Sequence, residues 1–498
     1  MPEPGAQRRT LILAICCMSL FVVGIDNTIV NVALPAIQHD LNASVAGLQW
    51  VISAYTVVIA SLLLLAGSTG DRFGRRRTFQ VGLVLFTLGS LLCSLAPGLG
   101  WLVAARVVQA AGGSMLNPVA MGIITNTFTE PRERARAIGV WGAVAGVSMA
   151  LGPVFGGLLV GSIGWRGIFW INLPVGLAAM ALAQRFVPES RAARPRRPDP
   201  LGQVLMVLLL GLLTFTLIEA PDLGWTAPRT LAGFLVAALA GVVFVAWESR
   251  CAEPLIDPRF FRSVPFSAAT VIAVSGFASL AGFLFLNTLY LQDVLGYSAM
   301  KAGCYVLPMA VMAMVLSPVS GRLVGGRGPR PPLLVAGAAM AVAGLLLSGL
   351  SDRTPVAQLM AAYVVFGIGF GMINAPITYT AVSGMPRSQA GVAAAVASTS
   401  RQTGQSLGVA VIVSVVVSRV HGSLRSGFAT ASHTGWWMIV GFGLLVVVLG
   451  ILSTGARAVQ TATAVAATLE PTDRRTPSSP TMNDTMNDTV NRTTNNTA

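Results

Sequence analysis

Apolar stretches of about 20 residues recur along most of this chain and constrain its fold more than any other feature. A helix of that length crosses the roughly 30 Å hydrocarbon layer of a bilayer, where backbone groups find hydrogen-bond partners only within helices or closed barrels. Apolar residues make up 54% of the 498 residues and charged residues only 10%, which is too little charge to cover a soluble protein of this size. The chain is therefore predicted to be an all-α polytopic membrane protein.

Fourteen predicted spans fall into groups of six, two and six. A basic, Pro-rich stretch separates the first group from the two central spans, and a second basic loop precedes the last group. This pattern predicts two six-helix bundles with two additional helices between them. The spans lie at 10–34, 48–70, 78–96, 99–125, 135–160, 166–187, 202–220, 229–247, 266–289, 302–322, 332–350, 356–380, 391–418 and 435–455.

The end of the chain differs in composition from the rest. It is rich in Thr, Asn, Pro and Ala, and such a segment cannot bury enough apolar area to order itself. The predicted organisation is a cytoplasmic N-terminus (1–9), an N-terminal bundle (10–187), a cytoplasmic linker (188–201), two additional helices (202–247), a cytoplasmic loop (248–265), a C-terminal bundle (266–455) and a disordered cytoplasmic tail (456–498).

The basic residues are distributed unevenly along this topology. They number 33 and give a net charge of +14, and all but Lys301 are arginine. With the N-terminus inside, we assign 25 of them to cytoplasmic segments, six to external loops and two, Arg106 and Arg401, to membrane spans. The excess orients a multi-pass protein in the cytoplasmic membrane with both termini inside, and it does not indicate a nucleic-acid partner. The preference for arginine is typical of a GC-rich bacterial genome.

Several kinds of chemistry lack their sequence signals. The five cysteines and three histidines show no metal-binding spacing, so neither a metal nor a cofactor is expected. No histidine, paired carboxylates or nucleophile–base pair falls in a predicted span, which argues against an enzyme. A Gly-rich phosphate loop ending in Lys and Ser or Thr is missing, which argues against ATP-driven transport. The expected partners are a small-molecule substrate, protons and the lipid bilayer, and the protein is expected to be a monomer.

A short charged loop joins the second and third spans. From position 67 to 77 it reads Gly-Ser-Thr-Gly-Asp-Arg-Phe-Gly-Arg-Arg-Arg. Five charges within seven residues are costly to place between two membrane helices, so the loop is predicted to be functional.

Asp26 lies deep in the first span, in a polar stretch with Asn27, Thr28 and Asn31. A carboxylate within the membrane is costly unless it is paired or protonated, so Asp26 is a candidate proton carrier. Arg106 lies in the fourth span, where a guanidinium near a buried acid would favour its ionised form and movement away would favour protonation. The structural alternatives are a hydrogen-bond node at Asp26 and a packing arginine, held by backbone carbonyls, at position 106.

The fifth span contains a cluster of small residues and a proline, at Gly152, Pro153, Gly156 and Gly157. Together they soften a helix and let a neighbouring helix approach closely, as an interface that rocks between two openings requires. A packing seam of small residues without a transport role is the alternative interpretation.

These motifs together resemble the major facilitator superfamily, and within it the 14-spanner drug:proton antiporters of the QacA/EmrB type. The resemblance covers residues 10–455 and implies the major facilitator fold. Besides the motifs above, it rests on Leu102 to Gly112, Trp165 to Gly176, Asp199 to Gly202 and Gly296 to Pro308.

The resemblance also implies roles for individual residues. Arg106 would take part in proton transfer, and the fifth-span glycines and proline would mark antiport and therefore export. Ala110 stands where the family usually has Gly, and Val324 replaces the Asp of the equivalent loop in the second half. The latch of the cytoplasmic gate would be formed by Gly67, Asp71, Arg72, Gly74, Arg75 and Arg76.

Candidate substrate contacts are polar and aromatic side chains on the spans that would line a cavity. A lipophilic drug needs a mostly apolar pocket with a few polar groups, although each of these side chains could equally bond another helix. The tenth span, 302–322, contains no acid, which disfavours obligatory dicationic substrates. The candidates are Asn27, Asn31, Trp50, Tyr55, Gln109, Asn287, Tyr290, Asn374, Tyr379 and Gln405.

The favoured function is a proton-coupled antiporter that exports a lipophilic or amphipathic small molecule, such as a drug or antibiotic, by alternating access. An uptake carrier or exchanger for a metabolite or siderophore is the alternative within transport. A membrane-embedded enzyme is a remote alternative.

Overall fold

The structure is a computed structural model that describes residues 6–192, 199–251, 253–351, 353–386, 389–420 and 424–469, and no strand occurs within them. A 3₁₀ turn (Pro258–Arg262) and π-turns (Tyr290–Val294 and Val409–Val413) connect or interrupt the helices. The helices are α1 (Ala6–Leu41), α2 (Val45–Phe73), α3 (Arg75–Ser94), α4 (Leu99–Thr127), α5 (Pro131–Ile163), α6 (Gly167–Trp170), α7 (Asn172–Phe186), α8 (Pro200–Leu223), α9 (Pro228–Glu248), α10 (Val264–Leu289), α11 (Ala299–Arg327), α12 (Arg330–Leu347), α13 (Val356–Val382), α14 (Ala390–Gly408), α15 (Ser414–Val417), α16 (Leu424–Leu452) and α17 (Ala456–Leu469).

Thirteen spans in the described residues are long and apolar enough to cross a membrane. The fourteenth predicted span is helical as well, because α14 continues through the second π-turn into α15. It falls short in hydropathy because residues 398–406 are almost all polar. The predicted sixth span is divided at Ile171 into α6 and α7.

The prediction of a disordered tail is wrong for its first part. Residues 456–469 form α17, which buries small and apolar side chains every three or four residues, among them Ala458, Ala462 and Val465. The backbone N–H of Val264 donates to Thr461 Oγ1 at 3.1 Å, so the helix is attached to the start of α10. Residues 470–498, like residues 193–198 of the predicted linker, lie outside the described residues.

Helices α1–α7 form one bundle and α10–α16 the other, and both depend on close helix contacts at glycine. A Cβ on Gly89 of α3 would lie 2.5 Å from the Gln109 backbone of α4. In the second bundle, a Cβ on Gly443 of α16 would lie 2.6 Å from the Ala341 backbone of α12. Small residues at such positions allow neighbouring helix backbones to approach closely in a membrane.

The two additional helices pack against both bundles through α8. The Gln203 side chain donates to the Ser61 carbonyl of α2 at 2.6 Å, and Trp50 Nε1 of α2 donates to Glu219 Oε1 at 3.1 Å. On the other side, the hydroxyls of Thr214 and Ser406 lie 3.4 Å apart. Helix α8 is therefore a bridge between the bundles.

The ends of the molecule differ in how the bundles meet. We call the end that carries the α2–α3 and α4–α5 connections the basic end, and the other the opposite end. Near the opposite end, Gln292 donates to the Val32 carbonyl at 2.9 Å, and Ser414 Oγ donates to Gln49 Oε1 at 3.2 Å. These two bonds join the bundles on that side.

Towards the basic end, α5 and α11 separate. A Cβ on Gly139 or Gly142 of α5 would have no neighbouring atom within 4 Å, and the same holds for Gly321 and Gly325 of α11. A Cβ on Gly157, near the opposite end of α5, would instead overlap the α11 backbone. The two bundles therefore contact each other near the opposite end, whereas these glycines of α5 and α11 towards the basic end meet neither bundle.

Candidate functional site

Five helices of the first bundle bring polar side chains together around Asp26. The close contact of α3 and α4 at Gly89 places Ser90 beside Gln109, and α7 begins with Asn172. The side chains of Asp26, Ser90, Gln109 and Asn172 are all buried, and α2 adds the buried Tyr55. A buried polar group is costly unless it is hydrogen-bonded, so their mutual contacts determine whether the cluster is stable.

The Asp26 carboxylate accepts three hydrogen bonds. Arg106 Nη1 lies 2.5 Å from Oδ2, while Gln109 Nε2 and Asn172 Nδ2 lie 2.8 and 3.3 Å from Oδ1. The Asp26 side chain is 0% exposed and that of Arg106 is 2% exposed. An acceptor with one cationic and two neutral donors matches an ionised carboxylate.

Arg106 is held in place by further contacts. Its Nε donates to the Val51 carbonyl at 3.2 Å, and Nη1 also donates to Gln109 Oε1 at 2.7 Å. The Tyr55 ring centroid lies 3.9 Å from the guanidinium carbon, a cation–π contact. The arginine is therefore fixed by α2 as well as by Asp26.

Ser90 organises the neutral donors. Its hydroxyl accepts from Gln109 Nε2 at 2.9 Å and from Asn172 Nδ2 at 3.2 Å, and it donates to the Phe86 carbonyl at 2.9 Å. Within the described residues, Tyr55 Oη and Asn172 Oδ1 are buried without a hydrogen-bond partner. The cluster thus keeps two unused polar atoms.

The charged loop at the basic end contains one ion pair between its own residues. Arg75 donates from Nη2 and Nε to Asp71 Oδ1 at 2.8 and 3.0 Å, and from Nη1 to the Gly122 carbonyl of α4 at 3.2 Å. Gly74, between α2 and α3, has a φ of 115°, which favours glycine. Gly67 approaches Pro118 of α4.

A residue far along the chain completes this loop. Glu189 accepts from the backbone N–H groups of Arg76 and Arg77 at 3.0 and 3.3 Å, at the first turn of α3, where a negative charge is favourable. Arg72 is exposed and lies over the Phe73 ring, and Arg76 Nε is buried without a partner in the described residues. In the described structure, the loop is therefore bonded to α4 and to the segment that follows α7.

The small residues of α5 form a seam with two sides. A Cβ on Gly152 would collide with Thr28 Oγ1, and one on Gly156 would lie 3.0 Å from the Ile29 carbonyl, so these glycines face α1. A Cβ on Gly157 would lie 2.6 Å from Met300 Cα of α11. Pro153 meets the same helix, because its carbonyl contacts Gly303.

The candidate substrate contacts are dispersed. Tyr55 and Gln109 belong to the Asp26 cluster, Asn31 donates to the Asn27 carbonyl at 3.2 Å, and Trp50 is bonded to α8. The side chains of Asn27, Asn374 and Gln405 are half-buried, and Tyr379 is exposed.

Two of these candidates lie in the core of the second bundle instead of on an open surface. Asn287 donates to the Phe283 carbonyl and accepts from Tyr363 Oη at 2.7 Å. Tyr290 donates to the Ser351 carbonyl at 2.6 Å. Both are fully buried, because the second bundle uses their polar atoms to join its own helices and loops.

Sequence reasoning missed three residues of these sites. Asn172 and Ser90 complete the Asp26 cluster, and Glu189 completes the charged loop. Asn172 carried a usable signal, a polar side chain within an apolar span, whereas Ser90 could not be distinguished from other small residues of α3. Glu189 follows the sixth span and lies 113 residues from Arg76 in the chain. Only the fold brings it to α3, so the sequence carried no signal for it.

Comparisons with known proteins agree with this architecture. The chain is 36% identical over 394 residues to the multidrug resistance protein Stp of Mycobacterium tuberculosis (strain CDC 1551 / Oshkosh), covering 79% of this chain and 73% of that protein. It is 40% identical over 397 residues to the tetracenomycin C resistance and export protein of Streptomyces glaucescens, with the same coverage.

Among solved structures, it is similar in fold to a bacterial homologue of the human lysosomal transporter Spinster in an inward-facing and unoccupied conformation. The TM-score is 0.63 at 18% identity, covering 93% of this chain and 98% of that one. The family model described as Major Facilitator Superfamily matches residues 16–409. The chain therefore belongs to the major facilitator superfamily of membrane transporters.

Proposed function

We propose that this protein is a proton-coupled antiporter that exports a lipophilic or amphipathic small molecule across the cytoplasmic membrane. The observation that carries the proposal is the Asp26–Arg106 pair, buried inside the first bundle of a chain that belongs to a transporter family. The bundles contact each other at the opposite end, and the basic end is proposed to be the open one. The names of the relatives, a multidrug resistance protein and a tetracenomycin C resistance and export protein, support export as the direction. The basic end is proposed to face the cytoplasm, following the positive-inside rule.

The proton step takes place at Asp26. In the inward-open state, the carboxylate is ionised and paired with Arg106, which corresponds to the state after proton release. In an outward-open state, a proton from outside binds Asp26 and removes its attraction for Arg106. The Gln109 and Asn172 amides then lose their charged acceptor, and the unused Asn172 Oδ1 can accept from the protonated acid.

The same helix links this chemistry to the opening of the bundles. Thr28 and Ile29 follow Asp26 on α1 and meet Gly152 and Gly156 of α5. The other side of α5 meets α11 at Gly157. A change of charge on α1 is thus transmitted to the seam that closes the opposite end, which is what a rocking transporter requires.

The charged loop acts as the latch of the cytoplasmic side. In this open state the side chains of the Asp71–Arg75 pair bond to each other and to α4, and the backbones of both residues bond to the segment that follows α7, at Ser190 and Ala192. On closure, this pair and the exposed Arg72 would meet the second bundle.

Drug susceptibility tests the proposal. An efflux-deficient bacterium expressing wild type, Asp26→Asn or Asp40→Asn at matched membrane levels is challenged with a chemically broad panel. Asp40 is the matched control, because it lies on α1 but its ion pair with Arg166 is exposed. Resistance in wild type and Asp40→Asn that is lost in Asp26→Asn and with an uncoupler supports the proposal. Resistance that survives in Asp26→Asn contradicts it, and uptake of a panel compound would indicate an import carrier.

A further inference from the structure

Arg401 is a second arginine inside the membrane-spanning part, and the cluster around Asp26 does not use it. It lies on α14, roughly 16 Å along the helix axis from its first residue at 1.5 Å per residue, and therefore near mid-membrane. Its side chain as a whole is half-buried.

The described contacts of Arg401 are all to neutral groups. Nη2 donates to Thr378 Oγ1 at 2.5 Å and to the Asn374 carbonyl at 3.3 Å, both on α13. Nε is buried without a hydrogen-bond partner in the described residues. None of the ion pairs of the described chain includes Arg401, whereas Arg106 is neutralised by Asp26.

Further polar groups accompany this guanidinium. Gln405 lies one turn further along α14, on the same helix face, and Asn374 and Thr378 lie one turn apart on α13. The side chains of Gln405 and Asn374 make no hydrogen bond in the described structure, and both are half-buried. We call these four residues the Arg401 cluster: Asn374, Thr378, Arg401 and Gln405.

An uncompensated cation in a membrane protein is costly, and an anion that enters its surroundings recovers part of that cost. The guanidinium fork matches the geometry of a carboxylate and forms charge-assisted hydrogen bonds with it. A cationic ligand has no equivalent partner in the first bundle, because the carboxylate of Asp26, the acid deepest in that bundle, is already paired with Arg106.

We propose that the Arg401 cluster binds the anionic group of the exported molecule, which is an amphipathic compound carrying a carboxylate or an acidic phenolate or enolate. This inference rests on the proposed export function and specifies its substrate class. Arg401 contacts the anion, and the Asn374 and Gln405 amides donate to its remaining oxygen atoms. The apolar part of the molecule lies in the space between the bundles that is open at the basic end.

The test compares two dyes with similar ring systems and opposite charges. Binding of the anion fluorescein and the cation rhodamine 6G to full-length protein in nanodiscs is measured by fluorescence polarisation in gluconate buffer, so that chloride does not compete. The proteins are wild type, Arg401→Gln, Arg401→Lys and the control Arg322→Gln, which removes one charge from an exposed site on α11. Melting curves identify variants that fail to fold.

We expect wild type to bind fluorescein at least ten-fold more tightly than rhodamine 6G. Arg401→Gln should abolish this preference, Arg401→Lys should retain part of it, and Arg322→Gln should leave it unchanged. A wild type that prefers rhodamine 6G or binds neither dye overturns the inference without any variant, and so does an unchanged preference in folded Arg401→Gln.

The outcome is independent of the proton step. If Arg401-dependent fluorescein binding is found but no panel compound is exported, the anion site stands and the proposed function fails. If export is proton-driven but Arg401→Gln exports anionic compounds like wild type, the function stands and the anion site fails.

Discussion

Asp26 on α1 and Arg106 on α4 are joined by a 2.5 Å contact between Oδ2 and Nη1, and solvent reaches neither side chain appreciably. Such a pair is a weak source of net stability, because both charges had to leave water. Removing one partner, however, leaves an uncompensated charge in the bundle. We therefore expect the protein to be sensitive to the loss of either charge.

A double-mutant cycle measures this coupling. Arg106→Gln should destabilise the protein by about 3–5 kcal/mol, because it leaves the Asp26 carboxylate buried without its cation. The double variant Asp26→Asn/Arg106→Gln should recover much of that loss, since no charge remains, yet it should not export. Thermal melting of purified protein checks the stabilities. Additive destabilisation in the double variant would show that the two residues act independently.

Ser90→Ala tests the neutral donors. The change removes the acceptor shared by Gln109 and Asn172 and should cost about 1–2 kcal/mol, with a several-fold loss of export. Ser94→Ala is the matched control one turn along α3, because its hydroxyl bonds only to the Leu91 carbonyl. Equal effects of the two changes, in melting curves and in export, would count against the organising role of Ser90.

Gly157→Ala tests the α5–α11 seam. Its added methyl group would overlap the Met300 backbone, so the opposite end could not close as observed, and export should fall at least ten-fold. Gly161→Ala, on the same helix, meets nothing within 4 Å and should export like wild type. Export rates at matched expression measure both. Normal export by Gly157→Ala would mean that the seam does not need this close contact.

Glu189→Gln tests the charged loop. Loss of the negative charge at the first turn of α3 should cost about 0.3–1 kcal/mol and loosen the loop. Trypsin should then cleave several-fold faster after Arg75, Arg76 or Arg77. Glu130→Gln is the control at the same end, because its side chain makes no capping bond. Unchanged cleavage in Glu189→Gln would exclude Glu189 as an anchor of the loop.

Sequence reasoning reached the fold because its determinants are local. Span length and hydropathy require only neighbouring residues, and thirteen of fourteen spans meet both criteria in the described structure. The tail prediction failed at α17 because its Ala-rich stretch is weakly apolar by composition, and its helix is stabilised by packing on α10.

The site was only partly predictable. Asp26 and Arg106 stand out because charge is rare in spans, but their contact depends on how α1 and α4 pack. The substrate candidates were less predictable, because a polar residue in a span serves equally to join helices. The Asn287 side chain joins helices through its bond with Tyr363. The Asn374 side chain makes no hydrogen bond in the described structure, and its backbone carbonyl accepts from Arg401.

The most direct test of the central claim is proton movement by purified protein. Proteoliposomes that contain pyranine and either wild type, Asp26→Asn or Asp40→Asn are exposed to a compound to which wild type confers resistance. The account predicts a compound-dependent pH change inside the vesicles for wild type and Asp40→Asn and none for Asp26→Asn. The same pH change with Asp26→Asn would show that Asp26 does not carry the proton.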